Sequence, residues 1–496
     1  MPRKTLIAAL TAVLFGCTGA LPARAEAPSA PTPQRVQPVE IDSFVRDQQL
    51  RNGVPGLAVV VTLGDEVIYA EGHGIDGAGS PISAATPFRI GSLSKAVTAA
   101  AVLQLVEAGQ IDLDAPVREY LPDFTTADPA HAARITVRDL LNQTSGLSEA
   151  GFPENRLPYP ATLQGRLESL QAARPVSDPG AAFAYFNPNY DLLALIVERV
   201  SAQPYEEYVQ RNLFEPLGMQ SSVTRASLLA QPPEGFLAPF SVAVPAREIN
   251  DWLPGSGGMV STPEDLAAFL IMQANGGAYA GQQIISPESI DLMHSTPAQV
   301  DSPYGMGWWV EQREDGLLLQ HGGDIRTFHA DMLLLPEEGI GIAVLYNTNH
   351  FLNNFVTYPQ ITEGLIALAR GQSPQTSFGF RTVGLLFAAV ALLSTLQTAF
   401  SLRSADSWLE RARARGSAAL WGGMIGPFVP ALFLVLLPVL ASRALGRDAT
   451  FGNIFSYMPD MLGWLVLGVL LGIAQGITRI SAVQRAGGPS QAAQGT

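Results

Sequence analysis

Hydrophobic and polar positions divide this chain into a short apolar segment near its start, a long mixed region and a strongly apolar region near its end. In the mixed region, apolar residues at helical spacing predict helices at residues 39–50, 136–141, 190–200 and 263–273. Compact apolar runs bounded by turn residues predict strands at residues 57–63, 67–71, 317–320 and 340–346. The pattern therefore predicts a mixed α/β domain over residues 39–370, long enough to bury a large core.

Three strongly apolar stretches follow a short linker at residues 371–380. They lie at about residues 382–402, 418–441 and 460–478. Each approaches or exceeds the roughly 20 residues that cross a bilayer as a helix. A buried helix of a soluble protein is the alternative for the shortest stretch. Three such stretches in series favour an all-α region of three transmembrane helices over residues 381–479.

The N-terminal apolar segment has the layout of a secretory signal peptide. A basic start, an apolar run over residues 5–16 and the sequence Ala23-Arg24-Ala25 predict a signal peptide at residues 1–25. Cys17 is the only cysteine and follows Leu14-Phe15-Gly16, so a lipidated cysteine is the alternative. Residues 26–38 are rich in proline and polar residues, which predicts a disordered lead-in. Either N-terminus predicts export of the mixed domain.

Arginines flank the apolar stretches unequally, and this asymmetry predicts their orientation. The loop after the first stretch holds four arginines and the loop after the second holds two, namely Arg403, Arg411, Arg413 and Arg415, then Arg443 and Arg447. Because basic loops remain in the cytoplasm, the first loop and the tail at residues 480–496 are predicted to be cytoplasmic. The mixed domain is then on the periplasmic or extracellular side of the cytoplasmic membrane, which agrees with the signal peptide.

The charge of the exported part argues against one class of partner. Residues 381–496 carry nine arginines against four carboxylates, a net charge of +5, so the whole-chain charge of −14 leaves −19 on residues 1–380. A domain this acidic repels phosphate backbones. We therefore do not expect nucleic acid as a partner.

Candidate chemistry lies in the stretch Gly91-Ser92-Leu93-Ser94-Lys95. Lysine occurs only at Lys4 and Lys95, and the other 28 basic side chains are arginine. Arginine stays protonated, whereas a desolvated lysine amine can lose its proton and act as a base. Residues 96–109 are rich in helix formers and end in a glycine, so Ser92 and Lys95 lie one helical turn apart as nucleophile and base. The alternative is a helix cap at Ser92 beside a solvated lysine.

Three motifs occur in an order that resembles a known group of hydrolases. They are Ser92-Leu93-Ser94-Lys95, Tyr185-Phe186-Asn187 and His321-Gly322-Gly323, supported by the run at residues 135–147. Over nearly all of residues 40–350 the chain is similar to the serine hydrolases related to class C β-lactamases, D,D-peptidases and D-aminopeptidases. This resemblance implies an antiparallel sheet flanked by helices, together with a mostly helical subdomain.

The resemblance also implies the roles of the catalytic side chains. Ser92 attacks an acyl carbon, and its proton passes either to Lys95 or to a Tyr185 phenolate held by Lys95. Asn187 can hold Lys95 and a substrate amide together, because its side chain both donates and accepts hydrogen bonds. The resemblance involves neither a metal nor a cofactor.

The third motif is expected to lie beside Ser92 on an edge strand. There His321 can bond Tyr185 or an anionic group of the substrate, next to Gly323. The resemblance implies an oxyanion hole made by the backbone amides of Ser92 and Asp324. His321 replaces the lysine of true β-lactamases and penicillin targets, which weakens the expectation of tight binding to a β-lactam carboxylate.

Two classes of function follow from these motifs. The first is a membrane-anchored, exported serine hydrolase that forms an acyl-enzyme and acts on a peptide, amide or ester. The layout resembles prodrug-activating peptidases, such as the colibactin-maturing one, which favours a D-amino-acid-containing peptide or an N-acyl-D-amino-acid prodrug; an esterase or a β-lactam-hydrolysing or penicillin-binding protein is the alternative. The second class is a non-hydrolysing acylation sensor, which the short cytoplasmic tail disfavours. The lipid bilayer is the expected partner, and the oligomeric state is open.

Overall fold

The computed structural model describes residues 37–375, 378–445 and 449–487. The predicted signal peptide, its Cys17 alternative and all but the last two residues of the predicted lead-in lie outside the described residues. The same is true of the last nine residues of the predicted tail.

A six-stranded antiparallel sheet forms the centre of the domain. Its strands are β1 (Gly56–Leu63), β2 (Glu66–Gly74), β3 (Trp309–Arg313), β4 (Gly316–Asp324), β5 (His329–Leu335) and β6 (Ile340–Tyr346). They lie in the order β2-β1-β6-β5-β4-β3. Strand β1 pairs with β6 from Leu57 opposite Tyr346 to Leu63 opposite Ile340, so the first and last strands of the sheet are neighbours.

Strand β1 is apolar at every position except Thr62 because both faces of the sheet are covered. Val59 and Val61 belong to a core that includes residues of the helices Pro38–Asn52 (α1) and Thr357–Ala369. Ala58 and Val60 belong to the larger core on the opposite face. A strand buried on both faces reads as a continuous hydrophobic run, and β1 does so.

Helices pack on both faces of the sheet and build a mostly helical subdomain. The longest of these are α1, then α2 (Ser94–Glu107), α3 (Asn187–Ser201), α4 (Pro263–Ala274) and α5 (Thr357–Ala369). Shorter helices are Val117–Tyr120, Pro129–Ala132, Val137–Leu141, Leu163–Ser169, Tyr205–Val209, Glu215–Leu217 and Pro287–Met293. Two-residue strands pair Phe88–Arg89 with Val260–Ser261 and Ala278–Tyr279 with Gln282–Gln283, and a small sheet joins Gly235–Leu237 to Val244–Ala246 and Thr348–Asn349.

The structure differs from the pattern-based prediction at four strands of the six-stranded sheet. Strand β2 extends to Gly74, three residues beyond the predicted end, and β3 was not predicted. Strand β4 extends to Asp324, four residues beyond the predicted end, and β5 was not predicted. Strand β5 begins with His329 and contains Asp331, and His329 is buried. Because polar residues occupy the start of this strand, its hydrophobic alternation is interrupted.

A buried ion cluster ties the helical subdomain together. The guanidinium of Arg166 lies 2.6 Å from Glu154 and 3.0 Å from Asp191. All three residues are buried, and Arg166 also lies over the ring of Tyr159, 5.0 Å from its centroid. Since Asp191 belongs to α3, the cluster connects this helix to the segment around Glu154 and to the helix Leu163–Ser169, which contains Arg166.

Three helices near the end of the chain are long and apolar enough to cross a membrane: Phe380–Leu402, Ser417–Arg443 and Pro459–Ala486. The first is α6. The second comprises α7 (Ser417–Ile425), a single 3₁₀ turn and most of α8 (Val429–Leu445), and the third belongs to α9 (Pro459–Gly487). The arginine-rich loop after the first helix is itself helical over Ala405–Arg415.

The N-terminal ends of the first and third apolar helices contact the mixed domain. The backbone N–H of Phe380 donates to Asn52 Oδ1 at 2.8 Å. The carboxylate of Asp460 is buried and accepts from the backbone N–H of Phe240 at 2.8 Å and from His350 Nε2 at 3.2 Å. The apolar helices are therefore docked to the domain through side chains as well as joined to it by the linker.

The buried ion cluster predicts a large effect on stability. Arg166→Met leaves two buried carboxylates without their cation, so we expect it to lower the free energy of unfolding by about 3–5 kcal/mol. The matched control is Arg134→Met, since Arg134 pairs with Asp178 on the surface, where solvent screens the ion pair and it contributes little to stability. Chemical denaturation of the detergent-solubilised protein, followed by tryptophan fluorescence, measures both. Equal losses for the two variants would contradict a stabilising role of the cluster.

Candidate active site

Ser92 and Lys95 come together because a 3₁₀ turn leads directly into α2. Residues Gly91–Leu93 form the turn, and α2 begins at Ser94. The hydroxyl of Ser94 donates to the carbonyl of Gly91 at 2.7 Å and accepts from the N–H of Met259, which fixes the turn. Ser92 Oγ then lies 3.1 Å from Lys95 Nζ.

The amine of Lys95 is fully buried among neutral acceptors. Besides Ser92 Oγ, Nζ donates to Asn187 Oδ1 at 2.9 Å and to the carbonyl of Ser256 at 2.7 Å. These acceptors come from α3 and from the loop before Val260–Ser261. Lys95 is therefore not the solvated first-turn residue of the alternative interpretation.

Tyr185 completes a triangle around the Ser92 hydroxyl. Its phenol O–H donates to Ser92 Oγ at 3.0 Å, and Lys95 Nζ lies 4.9 Å from the centroid of its ring. Ser92 Oγ is thus within hydrogen-bond distance of two groups that can exchange a proton with it.

Gln143 braces the Tyr185-Phe186-Asn187 segment, a role that sequence reasoning missed. Its side-chain oxygen accepts from the N–H of Phe186 at 3.1 Å and from Asn189 Nδ2 at 2.7 Å, and its carbonyl accepts from the N–H of Ala184. Gln143 has φ +59°, a left-handed conformation that costs energy in a residue with a side chain. The sequence feature that could have indicated Gln143 is its position in the run at residues 135–147. That run supported the family resemblance but gave no role for this residue.

His321 bonds Gly322 and Tyr304 rather than Tyr185. Its Nδ1 donates to the carbonyl of Gly322 at 2.8 Å, and its Nε2 accepts from the hydroxyl of Tyr304 at 3.0 Å; its ring centroid is 6.2 Å from that of Tyr185. Burial, together with the nearby Lys95, lowers the pKa of His321 to about 3. The imidazole is therefore neutral, and it does not replace the cation of a β-lactamase lysine.

The expectation that His321 lies on an edge strand is correct for the end of β4 but not for the whole strand. Strand β4 is the penultimate strand of the sheet, with β3 outside it. Strand β3 pairs with residues 316–320 of β4 and ends its pairing at Gln320. Residues 321–324 are therefore not paired with β3.

Two glycines bring the end of β4 against the backbone of the nucleophile turn. A β-carbon added to Gly323 would lie 2.0 Å from the carbonyl oxygen of Ile90 and 3.1 Å from the amide nitrogen of Ser92. One added to Gly91, which has φ +52°, would lie 3.1 Å from the amide nitrogen of Asp324. Only glycine allows this approach. It brings together the two amides expected to form the oxyanion hole.

Aromatic side chains cover one side of the site. Tyr185 stacks on Trp309 with ring centroids 5.9 Å apart and an interplanar angle of 12°. Tyr304 and Phe183 meet Trp309 edge to face at 5.1 and 5.5 Å. Tyr185, Trp309 and Phe183 are partly buried, so this aromatic wall borders the nucleophile.

The groups around Ser92 suit acyl transfer. The site offers a hydroxyl nucleophile, an amine, a phenol and closely placed backbone amides, which are the parts that covalent acyl transfer needs. Among residues 37–375, 378–445 and 449–487 no three histidine, cysteine, aspartate or glutamate residues are grouped so as to hold a metal ion.

Known proteins resemble this chain in sequence and in structure. It is 27% identical over 319 residues to Protein flp of Staphylococcus aureus strain MW2, an alignment that covers 62% of this chain and 63% of that protein. It is 25% identical over 422 residues to the same protein of strain COL, covering 81% and 82%. The octameric penicillin-binding protein homologue of Pyrococcus abyssi superposes with a TM-score of 0.58 and 26% identity, covering 68% of this chain and 79% of that one.

The family match covers most of the chain. The sequence profile described as Beta-lactamase matches residues 41–363, which span the sheet from β1 to β6 and every residue of the candidate site. The fold seen here, with its antiparallel sheet, flanking helices and helical subdomain, is that of β-lactamases and penicillin-binding proteins. The chain therefore belongs to the β-lactamase family of serine hydrolases.

Proposed function

We propose that the protein is a membrane-anchored peptidase or amidase that forms an acyl-enzyme on Ser92. The observation that carries this proposal is the position of Ser92 Oγ, 3.1 Å from Lys95 Nζ and 3.0 Å from the Tyr185 hydroxyl. A serine becomes a nucleophile only when a base takes its proton, and two candidate bases are within reach.

In the proposed first step, Ser92 Oγ attacks the acyl carbon of the substrate. Its proton passes to a neutral Lys95 amine or to a Tyr185 phenolate stabilised by Lys95, and both routes fit the contacts. The C–N bond of the substrate then breaks, and the same base returns the proton to the departing nitrogen. Water next attacks the serine ester by the reverse path, which releases the acid and restores Ser92.

Backbone amides are proposed to stabilise the negative charge of the tetrahedral intermediate. The close approach of Gly91 and Gly323 supports the assignment of this oxyanion hole to the amides of Ser92 and Asp324. Loss of one donor of this kind raises a barrier by about 3 kcal/mol. Asn187 receives a hydrogen bond from Lys95 through Oδ1, which leaves its side-chain NH₂ as a donor for a substrate carbonyl.

The proposed substrate is a D-amino-acid-containing peptide or an N-acyl-D-amino-acid prodrug. One observation argues against a β-lactam. His321 is neutral and bonded to Tyr304, so it supplies no cation for a β-lactam carboxylate. The aromatic wall of Phe183, Tyr185 and Trp309 instead offers an apolar surface next to the nucleophile. Ester hydrolysis, or reaction with β-lactams by a penicillin-binding protein, is the second candidate, since a penicillin-binding protein homologue shares the fold.

We further propose that the three apolar helices anchor the domain on the periplasmic or extracellular side. Their length and hydropathy suit membrane spans, and the predicted cytoplasmic loop forms the basic helix Ala405–Arg415.

The nucleophile assignment predicts that Ser92→Ala abolishes both hydrolysis and covalent labelling by an active-site acylating probe. Intact-protein mass spectrometry measures the label. The matched control is Ser94→Ala, which should still be labelled at Ser92 because the Ser94 hydroxyl bonds the turn rather than the reaction centre. A Ser92→Ala protein that still carries the label on another serine would show that the nucleophile is wrong.

The base assignment predicts that Lys95→Arg is nearly as damaging as Lys95→Ala, although arginine keeps the charge. Arginine cannot give up its proton, and loss of general-base help costs about 100- to 10,000-fold in rate. The measurement is the acylation rate with an activated ester whose leaving group needs no acid. An arginine variant within about threefold of the wild type would require Lys95 to be a structural residue.

The topology predicts opposite behaviour of two reporter fusions. After Thr496, only a reporter that is active in the cytoplasm should give a signal. After Gly371, only a reporter that is active after export should give a signal. Paired fusions to alkaline phosphatase and to a fluorescent protein distinguish the two sides. Cleavage of a C-terminal tag by protease added to intact spheroplasts would mean that the number of spans is wrong.

A further inference from the structure

Asp324 places a carboxylate next to the proposed oxyanion hole. Its backbone amide is one of the two proposed donors, and its side chain is 45% exposed at the end of β4. A negative charge this close to the oxyanion would oppose the charge that develops during acylation. The site therefore needs a compensating positive charge or a different orientation of the carboxylate.

His329 faces this carboxylate from the neighbouring strand. It lies opposite Asp324 in the pairing of β4 with β5 and is only 3% exposed. Its Nδ1 donates to Asp324 Oδ1 at 2.8 Å, and its Nε2 lies 3.1 Å from Asp331 Oδ1, close enough for an ion pair although its alignment is poor for a hydrogen bond. The ring stacks on Tyr358 with centroids 3.7 Å apart and lies beside Tyr346.

The surroundings of His329 keep it protonated. Burial by itself lowers its pKa, but the carboxylates of Asp331 and Asp324 outweigh burial and raise the pKa to about 10. Tyr346 and Tyr358 are the other titratable groups that face the ring, and burial raises the pKa of both phenols well above the usual value, so they stay neutral. At neutral pH His329 is therefore a cation held between two carboxylates.

Asn349 clamps the same turn from a third direction. Its Nδ2 donates to Asp324 Oδ1 at 3.0 Å and to the carbonyl of Ile325 at 2.8 Å. Asn349 is buried and belongs to the short strand Thr348–Asn349, which pairs in parallel with Gly235–Leu237. The carboxylate and the peptide that follows it are thus held by one amide, independently of His329.

We propose that His329 and Asn349 are positioning residues of the oxyanion hole, which hold the Asp324 turn in place while the charge of His329 cancels that of the Asp324 carboxylate. This inference rests on the proposed function, because it requires that Ser92 is acylated. A purely structural ion pair would also stabilise the fold, but it would not alter the acylation rate of the protein that remains folded.

A charge-rescue experiment separates these two roles. The acylation rate of the full-length, detergent-solubilised protein with an activated ester is measured for the wild type, His329→Gln, Asp324→Asn and the double variant. We expect His329→Gln to lower the maximal rate at least about tenfold, with little change in the ester concentration that gives half of it, because the uncompensated carboxylate acts on the transition state. The double variant should return to within about threefold of Asp324→Asn, because position 324 then carries no charge for the cation to offset, while Asp331 is present in both variants.

The pH profile supplies a second readout of the same charge. Because His329 has a raised pKa in the folded protein, its charge is present at neutral pH and is lost as the pH rises through about 10. The wild-type rate should therefore fall more steeply than that of the double variant as the pH rises through this value. Parallel profiles would contradict the electrostatic role of His329.

Two results of the charge-rescue experiment would contradict the proposal. A His329→Gln variant that acylates within about threefold of the wild type, or a double variant as slow as His329→Gln alone, overturns it. If His329→Gln fails to fold, Asn349→Leu takes its place, because it removes the clamp without changing any charge; an unchanged rate there overturns the positioning role. If the wild type itself is not acylated at Ser92, the proposed function has failed, a result distinct from any of these.

Discussion

The burial of a single amine organises this protein. Lys95 Nζ lies out of solvent and bonds to groups from three separate parts of the chain: the nucleophile turn, the start of α3 and the loop that contains Ser256. A buried polar group needs its hydrogen bonds, and a buried amine without them would cost several kcal/mol. The sheet domain and the helical subdomain must therefore meet in one arrangement at Lys95, and that arrangement places Ser92, Tyr185 and Asn187 around one point.

Backbone contact imposes the second constraint. Gly91 and Gly323 let the nucleophile turn touch the end of β4 more closely than any side chain would permit. The histidines near this contact differ in charge. His321 is neutral inside the site, whereas the ion pair of His329 and Asp324 lies just beyond it. Burial keeps His321 neutral and the nearby carboxylates keep His329 protonated, so two histidines eight positions apart on neighbouring strands differ in charge.

A series of contacts links the apolar helices to the end of β4. Asp460 at the start of the third helix is buried against His350 and the backbone of Phe240. His350 directly follows Asn349, whose amide holds the Asp324 turn. Contacts therefore continue from the predicted membrane region to the end of β4, which fixes the domain relative to the first and third helices.

Local features of this protein were predictable from its sequence. Ser92 and Lys95 share one helical turn, so their proximity follows from spacing alone, and the apolar stretches and the strand β1 are visible as hydrophobic runs. The order of the three motifs indicated the family and hence the expected site. Only the tertiary structure decided that His321 bonds Tyr304, that Gln143 bonds the backbone of Phe186, and that His329 meets Asp324. These contacts join residues whose partners are set by strand register and by packing between elements. The polar residues His329 and Asp331 interrupt the hydrophobic pattern from which β5 would have been recognised.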